Sequence, residues 1–308
     1  MDAIRTEGLT RRFGGLSAVD GLSFSVERGE LFGLVGPDGA GKTTTMRLLA
    51  SIMDPSGGDA WVAGRHTVRE AEAVKDRIGY MSQRFGLYAD LTVGENLAFY
   101  ADIYGVPRRE LAARAERLLG FSGLAQFRKR LAGNLSGGMK QKLGLACALV
   151  HSPEVLLLDE PTNGVDPISR REFWGILSGL LAEGVTVFVS TSYLDEAERC
   201  GRVGLLHSGR LLACGAPTEV KKLMRGTILE VRSADPRRSA GLIREGLGEL
   251  ARSVGLFGDR VHVVTDQAEA ADAQARKCLG EDVAIRRIEP SLEDVLVSLT
   301  TTGNKDGK

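Results

Sequence analysis

Short apolar runs that start and stop abruptly punctuate this chain. Leu31-Phe32-Gly33-Leu34-Val35, Val155-Leu156-Leu157-Leu158 and Val185-Thr186-Val187-Phe188-Val189-Ser190 each have strand length and little polar alternation. Runs of this kind belong to buried strands, and with helix-forming stretches between them they predict an α/β fold. Ile4 to Arg12 and Leu22 to Val26 alternate instead, which predicts two further strands with turns at Gly14-Gly15 and Arg28-Gly29. Ala60-Trp61-Val62 reads as a short strand, and Ile78 to Gln83 as one that ends in glutamine. Helices are predicted after the glycine-rich turn before Met46 and over Arg69 to Arg77. Others run from the capping box Thr92-x-x-Glu95 to Tyr104, from Pro107 to Leu119, over Lys142 to Val150, from Pro167 to about Ala182, and over Tyr193 to Cys200. Helical material inserted between the halves of the sheet predicts a helical subdomain at about 84–150.

The pattern changes near residue 226. Ile228 to Ser233, Arg260 to Thr265 and Val283 to Ile288 read as strands, and Pro236 to Leu250 and Gln267 to Leu279 as helices. A small α+β unit over 226–299, of the β-α-β-β-α-β ferredoxin-like kind, fits this order, closing with a helix that opens at Pro290. The division expected is therefore a large domain over 1–225, the small one over 226–299, and a disordered tail over 300–308. With 308 residues and 43% hydrophobic content the chain can build two cores. Lys and Arg total 40 and Asp and Glu total 40, so no net charge favours a nucleic-acid partner. Cys147, Cys200, Cys214 and Cys278 lack metal-ligand spacing. Asp2 and Glu7 near the start, and Glu183-Gly184 inside the longest apolar stretch, argue against secretion and membrane crossing.

The chemistry concentrates where apolar runs end. Gly36-Pro37-Asp38-Gly39-Ala40-Gly41-Lys42-Thr43-Thr44 follows one such run and precedes helix formers, the strand-loop-helix setting of a phosphate-binding G-x-x-x-x-G-K-[ST] loop. Its glycines turn backbone N–H groups inward, the helix dipole adds positive potential, Lys42 reaches β- and γ-phosphates, and the Thr43 hydroxyl holds Mg²⁺. Asp159 and Glu160 end another run. The first suits Mg²⁺ and the second can polarise an attacking water. Ser136, Gly137 and Gly138 open a helix as a second anion cradle that would serve a neighbour's nucleotide, although alone they read as a plain capped helix start. Phe13 sits where a ring could stack on a base; alone it reads as core. Arg84 to Leu91 is too apolar for an ordinary exposed loop and is a candidate docking surface.

Taken in order, these motifs resemble an ABC-transporter ATP-binding subunit over roughly residues 1–225. The resemblance implies an ABC ATPase fold with an antiparallel β subdomain and a helical subdomain, using ATP and Mg²⁺. It makes Phe13 the adenine-stacking aromatic, Gly36 to Thr44 the Walker A loop and Gln83 the Q-loop glutamine, a metal contact. Leu135 to Gln141 becomes the signature, with Met139 in the usual glutamine position. Asp159 and Glu160 close Walker B, and Asp166 belongs to the D-loop. Pro161-Thr162-Asn163-Gly164-Val165-Asp166-Pro167 and Tyr193-Leu194-Asp195-Glu196-Ala197-Glu198 look like subunits serving ABC-2-type exporters of drugs, antibiotics or glycans, and the P-loop wording resembles the first half of double-ATPase export subunits. Such subunits pair, homodimeric or heterodimeric, each ATP lying between one P-loop and the partner's Ser136–Gly138. They dock a permease, here through Arg84–Leu91, on the cytoplasmic face of the membrane.

Two positions depart from that pattern. Asp38 replaces an asparagine and is expected to point outward, away from phosphate. Ser192 stands where the family has its switch histidine, and none of His66, His151, His207 and His262 fills the position. Either the γ-phosphate contact is weakened at Ser192, or the serine simply caps the following helix. A hydrolysing engine and an ATP-gated module with little hydrolysis are the two functions carried forward.

Overall fold

The three apolar runs are buried along their whole length, as strands Leu31–Val35, Val155–Asp159 and Thr186–Thr191. Apolar atoms on both faces require cover on both sides, which is why these strands lie in a mostly parallel sheet between layers. In the computed structural model, which describes residues 2–84, 86–280 and 283–303, the chain divides into two compact units between Ala216 and Pro217.

The first unit contains, in chain order, β1 (Asp2–Phe13), β2 (Leu16–Glu27), β3 (Leu31–Val35), α1 (Lys42–Leu49), β4 (Gly57–Val62), β5 (Arg65–His66), α2 (Ala71–Lys75), β6 (Ile78–Met81), α3 (Val93–Ile103), α4 (Arg108–Phe121) and α5 (Gly137–Leu149). It continues with β7 (Val155–Asp159), α6 (Pro167–Ala182), β8 (Thr186–Thr191), α7 (Leu194–Ala197), β9 (Arg202–His207) and β10 (Arg210–Gly215). One sheet has the order β2-β1-β4-β5 and pairs antiparallel throughout. The other runs β10-β9-β3-β8-β7-β6, parallel except at β10. Phe24 of β2 stacks on Phe32 of β3 and Phe188 of β8, at centroid distances of 5.6 and 5.8 Å, joining the two sheets in one core. Because β3, β6, β7 and β8 are parallel, the residues that follow them all leave the sheet at the same end.

The second unit holds α8 (Pro217–Lys221), β11 (Thr227–Arg232), α9 (Pro236–Leu247), β12 (Ser253–Phe257), β13 (Arg260–Thr265), α10 (Ala268–Leu279), β14 (Ala284–Ile288) and α11 (Leu292–Gly303). Its sheet order, β12-β13-β11-β14 with antiparallel neighbours, is the ferredoxin-like arrangement. The fourth strand that this fold needs is β12, which its Gly255 and partial burial hide from a pattern reading. The unit begins ahead of residue 226 because α8 packs against α11.

Several boundaries move. β2 starts at Leu16 rather than Leu22, because its early residues pair with the end of β1. α5 starts at Gly137, five residues before the expected Lys142, and α7 is limited to Leu194–Ala197. The Thr92–Glu95 capping box is present with both reciprocal bonds. Of the expected tail, residues 304–308 lie outside the described residues, whereas Thr300 belongs to α11. Among the described residues no helix is long and apolar enough to cross a membrane.

Candidate functional site

At the common end of β3, β6 and β7 lies a cavity of about 350 Å³ lined by Ala18, Asp38, Gly39, Gly41, Lys42, Thr43, Thr44, Gln83, Glu160 and Asn163. Glycine is required in the loop for two different reasons. A Cβ on Gly36 would meet the carbonyl oxygen of Leu206 at 2.1 Å, while Gly41 has φ of 107° and a Cβ there would lie 2.3 Å from the Ala18 oxygen. Gly41 caps α1 without a side-chain bond and no acid occupies the first turn, so the N–H groups that open this helix are left for a ligand. Lys42 is buried, its ammonium donating to the carbonyls of Gly36 (2.8 Å) and Pro37 (3.1 Å) and pairing with Glu160 Oε1 at 3.0 Å. Asp38 is exposed and is part of the cavity lining.

Asp159 lies beneath. Its Oδ1 accepts from Ser190 Oγ (2.7 Å) and Thr43 Oγ1 (3.2 Å), whereas its Oδ2 is buried without a partner. Burial raises its pKa, opposed by the hydroxyls of Ser190 and Thr43. A fully buried carboxylate oxygen without a donor, beside a threonine hydroxyl, suits a hard cation. Among the described residues no three acids, histidines or cysteines cluster as a metal cage, so such an ion would share its coordination with phosphate oxygens and water. Glu160 has φ of 47°, a strained conformation for a non-glycine residue, held by its N–H donating to Ser190 O (3.1 Å) and Oγ (3.0 Å). Its Oε2 accepts from Gln83 Nε2 (3.3 Å) and Asn163 Nδ2 (3.2 Å).

Residues 19–163 match the ABC transporter family. The probable multidrug ABC transporter ATP-binding protein YbhF of Escherichia coli is 44% identical over 303 residues, covering 97% of this chain and 52% of that protein. The chain thus spans about half the length of this relative. The Nod factor export ATP-binding protein I of Burkholderia thailandensis is 37% identical over 94% of both chains. Among solved structures, cbiO1 from Clostridium perfringens, part of the ABC transporter complex cbiONQ, is 28% identical with a TM-score of 0.66 over 71% of this chain and 90% of its own. This chain belongs to the ABC transporter ATP-binding proteins.

In this ABC ATP-binding protein the remaining motif residues lie outside the cavity lining. Phe13 is 44% exposed at the end of β1, with the Arg11 guanidinium 4.7 Å above its ring. Ser136 is exposed and caps α5, its hydroxyl accepting from Met139 N at 3.3 Å; Gly137 is open and Gly138 is pressed against Ser169 of α6. Asp166 caps α6 by accepting from the N–H groups of Ile168 (3.1 Å) and Ser169 (3.0 Å), and these bonds lower its pKa. Ser192 is half-buried. It does not cap α7, whose N-cap is Tyr193, because Thr191 Oγ1 instead accepts from Tyr193 N at 3.0 Å. Ser192 is therefore not the helix cap that its residue type suggests. Arg84 and Leu87, with Gln83, line a separate groove of about 270 Å³ that also touches Ala132, Gly133, Lys140 and Gln141. Tyr88 is 47% exposed beside it, edge-on to Phe99, and Phe85 lies outside the described residues.

Asn163 and Ser190 escaped the sequence reading. Asn163 stands three residues after Glu160 inside an already quoted loop, a local signal that was there to use. Ser190 meets Asp159 only because β7 and β8 pair in that register.

Proposed function

We propose that this chain binds ATP with Mg²⁺ and hydrolyses it, and that two such units, identical or not, close over two nucleotides to drive a separate ABC-2-type permease that exports drugs, antibiotics or glycans. The observation that carries this reading is the convergence of Lys42, Thr43, Gln83, Asn163 and Glu160 on one cavity floored by Asp159. Walker A residues Gly36 to Thr44 cradle the phosphates with backbone N–H groups, and Lys42 exchanges its carbonyl and Glu160 partners for phosphate oxygens. Thr43, Asp159 and Gln83 hold Mg²⁺, which when bound neutralises charge on the phosphoryl oxygens. Glu160 takes the proton of the attacking water, and Gln83 and Asn163 aim its carboxylate. Phe13 stacks on adenine through the face that Arg11 leaves open.

Ser136 to Gly138 lie outside the cavity of their own chain, which supports their use on a partner's γ-phosphate, with Asp166 at the same contact. Gln83 borders both the cavity and the Arg84–Leu87 groove. That shared residue supports the groove and Tyr88 as the permease seat, with the chain peripheral on the cytoplasmic face. Glu160 held among cation and amides favours the hydrolysing engine over the gated module.

The test is steady-state phosphate release by the purified chain with ATP and Mg²⁺, beside Lys42→Ala, together with co-purification of a permease. Release above the Lys42→Ala background supports the reading. Release equal to that background, at a protein concentration that saturates dimerisation, overturns it.

A further inference from the structure

Behind the site, a buried carboxylate of the Tyr193–Glu198 run, one given no role so far, ties together three of the segments that form it. Glu196, on the short helix α7, is 1% exposed. Its Oε1 accepts from Thr162 Oγ1 at 2.6 Å and from Arg170 Nε at 2.9 Å, and its Oε2 accepts from Thr191 Oγ1 at 2.9 Å. Thr162 lies two residues after Glu160. Thr191 immediately precedes Ser192, and its backbone oxygen accepts from Gly36 N at 3.4 Å, at the base of the P-loop. Arg170 sits one turn into α6, its N–H donating to the Asp166 oxygen at 2.9 Å, and its guanidinium lies 4.2 Å over the Tyr193 ring and 3.4 Å from Asp195. One carboxylate thus bonds the loop after Glu160, the helix that follows Asp166, and the strand end that carries Ser192.

The chemistry of the pair explains why this arrangement is stiff. A carboxylate out of water needs its lone pairs filled, and Glu196 has three donors, one of them the Arg170 cation. Each donor comes from a different segment, so none of the three can shift without leaving a buried polar group unpaired. We propose that Glu196 and Arg170 form a positioning strut that sets the distance between the Glu160–Asp166 loop and the Ser192 segment. Neither residue lines the P-loop cavity, so both act through Glu160 and Asp166. The proposal rests on the ATPase reading for its effect on turnover, but the strut itself is measurable without activity.

Glu196→Gln keeps volume but puts an amide NH₂ where one acceptor oxygen was, and Arg170→Met removes the cation while keeping most of the stem. On full-length protein, well below its melting temperature, each should lower kcat about 10- to 100-fold with KM for ATP within about twofold, because misplacing reacting groups costs rate rather than binding. The double variant should be no slower than the slower single, since both substitutions break one unit. Hydrogen exchange at the amides of Val165 and Tyr193, which bond to Thr162 O and Thr191 Oγ1, should quicken about tenfold in both variants. Unchanged exchange there overturns the strut, as does turnover within twofold of wild type in either variant. If wild type releases phosphate no faster than Lys42→Ala, the ATPase reading is what fails, and the exchange result alone then decides the strut for or against.

Discussion

Glu160→Gln separates nucleotide binding from chemistry at this site. Glutamine keeps the side-chain length and, like glutamate, must adopt the φ of 47°, so backbone strain is common to both proteins. What it loses is a base and one negative charge. General-base assistance is typically worth 10²–10⁴ in rate, about 3–5 kcal/mol of barrier, so turnover should fall by that factor. Stability should change much less. Lys42 and Glu160 are 4% and 8% exposed, and breaking such a pair from one side costs about 3–5 kcal/mol when the remaining charge is stranded. Lys42 is not stranded, because the carbonyls of Gly36 and Pro37 still accept from it at 2.8 and 3.1 Å. A net loss near 1 kcal/mol, or a Tm lowered by about 2–4 °C, is expected for a unit of this size. ATP affinity should persist and closed dimers should accumulate, whereas Lys42→Ala should lose affinity. Equilibrium ATP binding, single-turnover phosphate release and dimer mass on both variants provide the measurement. Hydrolysis by Glu160→Gln at the wild-type rate would show that another group takes the proton.

Three further substitutions probe separate elements. Ser192→His should raise turnover by up to about 10² with little change in ATP affinity or Tm, since no cap is lost; a flat or lower rate removes the weakened-switch reading. Gly138→Ala places a Cβ 2.4 Å from Ser169 Cβ, so it should cost about 1–3 kcal/mol and impair ATP-dependent dimerisation, with Ser169→Gly restoring both; native dimerisation in the single variant would contradict the contact. In the second unit, burial raises the pKa of Glu230, but hydrogen bonds from Arg286, Arg260 and Arg232 outweigh it and bring the value from 4.5 to about 2. A depressed carboxyl stabilises above its unfolded pKa, so this contribution should be full above pH 4.5 and fade as pH falls toward 2. At about 1.4 kcal/mol per pH unit the shift corresponds to about 3 kcal/mol, which solvent at the 37–59% exposed arginines screens to about 1–2. Melting of Glu230→Gln against wild type should differ at pH 7 and converge near pH 2; a gap that stays constant with pH rules out the carboxylate.

Features carried by contiguous residues were legible without the structure. The nine residues from Gly36 to Thr44 state their own conformation, since positive-φ glycines and a helix start are local requirements. The Thr92–Glu95 box closes within one turn, and an unbroken apolar run can hardly be anything but a buried element. The C-terminal unit was legible as a ferredoxin-like order even with β12 unread, because the helices on either side of the gap require a hairpin between them. Where a short helix starts was not legible. Serine at 192 looks like a cap by residue type, but the neighbouring Thr191 hydroxyl takes the bond and α7 opens two residues later.

What only the tertiary structure decided is which distant residues share a cavity, and in which register. Thr43 meets Asp159 across 116 residues and Gln83 meets Glu160 across 77, while Ser190 supports Asp159 because β7 and β8 align at that step. A strand's own pattern gives it two faces but names neither neighbour nor register, since a partner is selected by burial summed over the whole sheet. Glu196 is the clearest instance. In sequence it is one acid among three in Asp195-Glu196-Ala197-Glu198, with nothing to set it apart from the other two, and only the folding of Thr162, Arg170 and Thr191 around it makes that carboxylate, and not Asp195, the buried one.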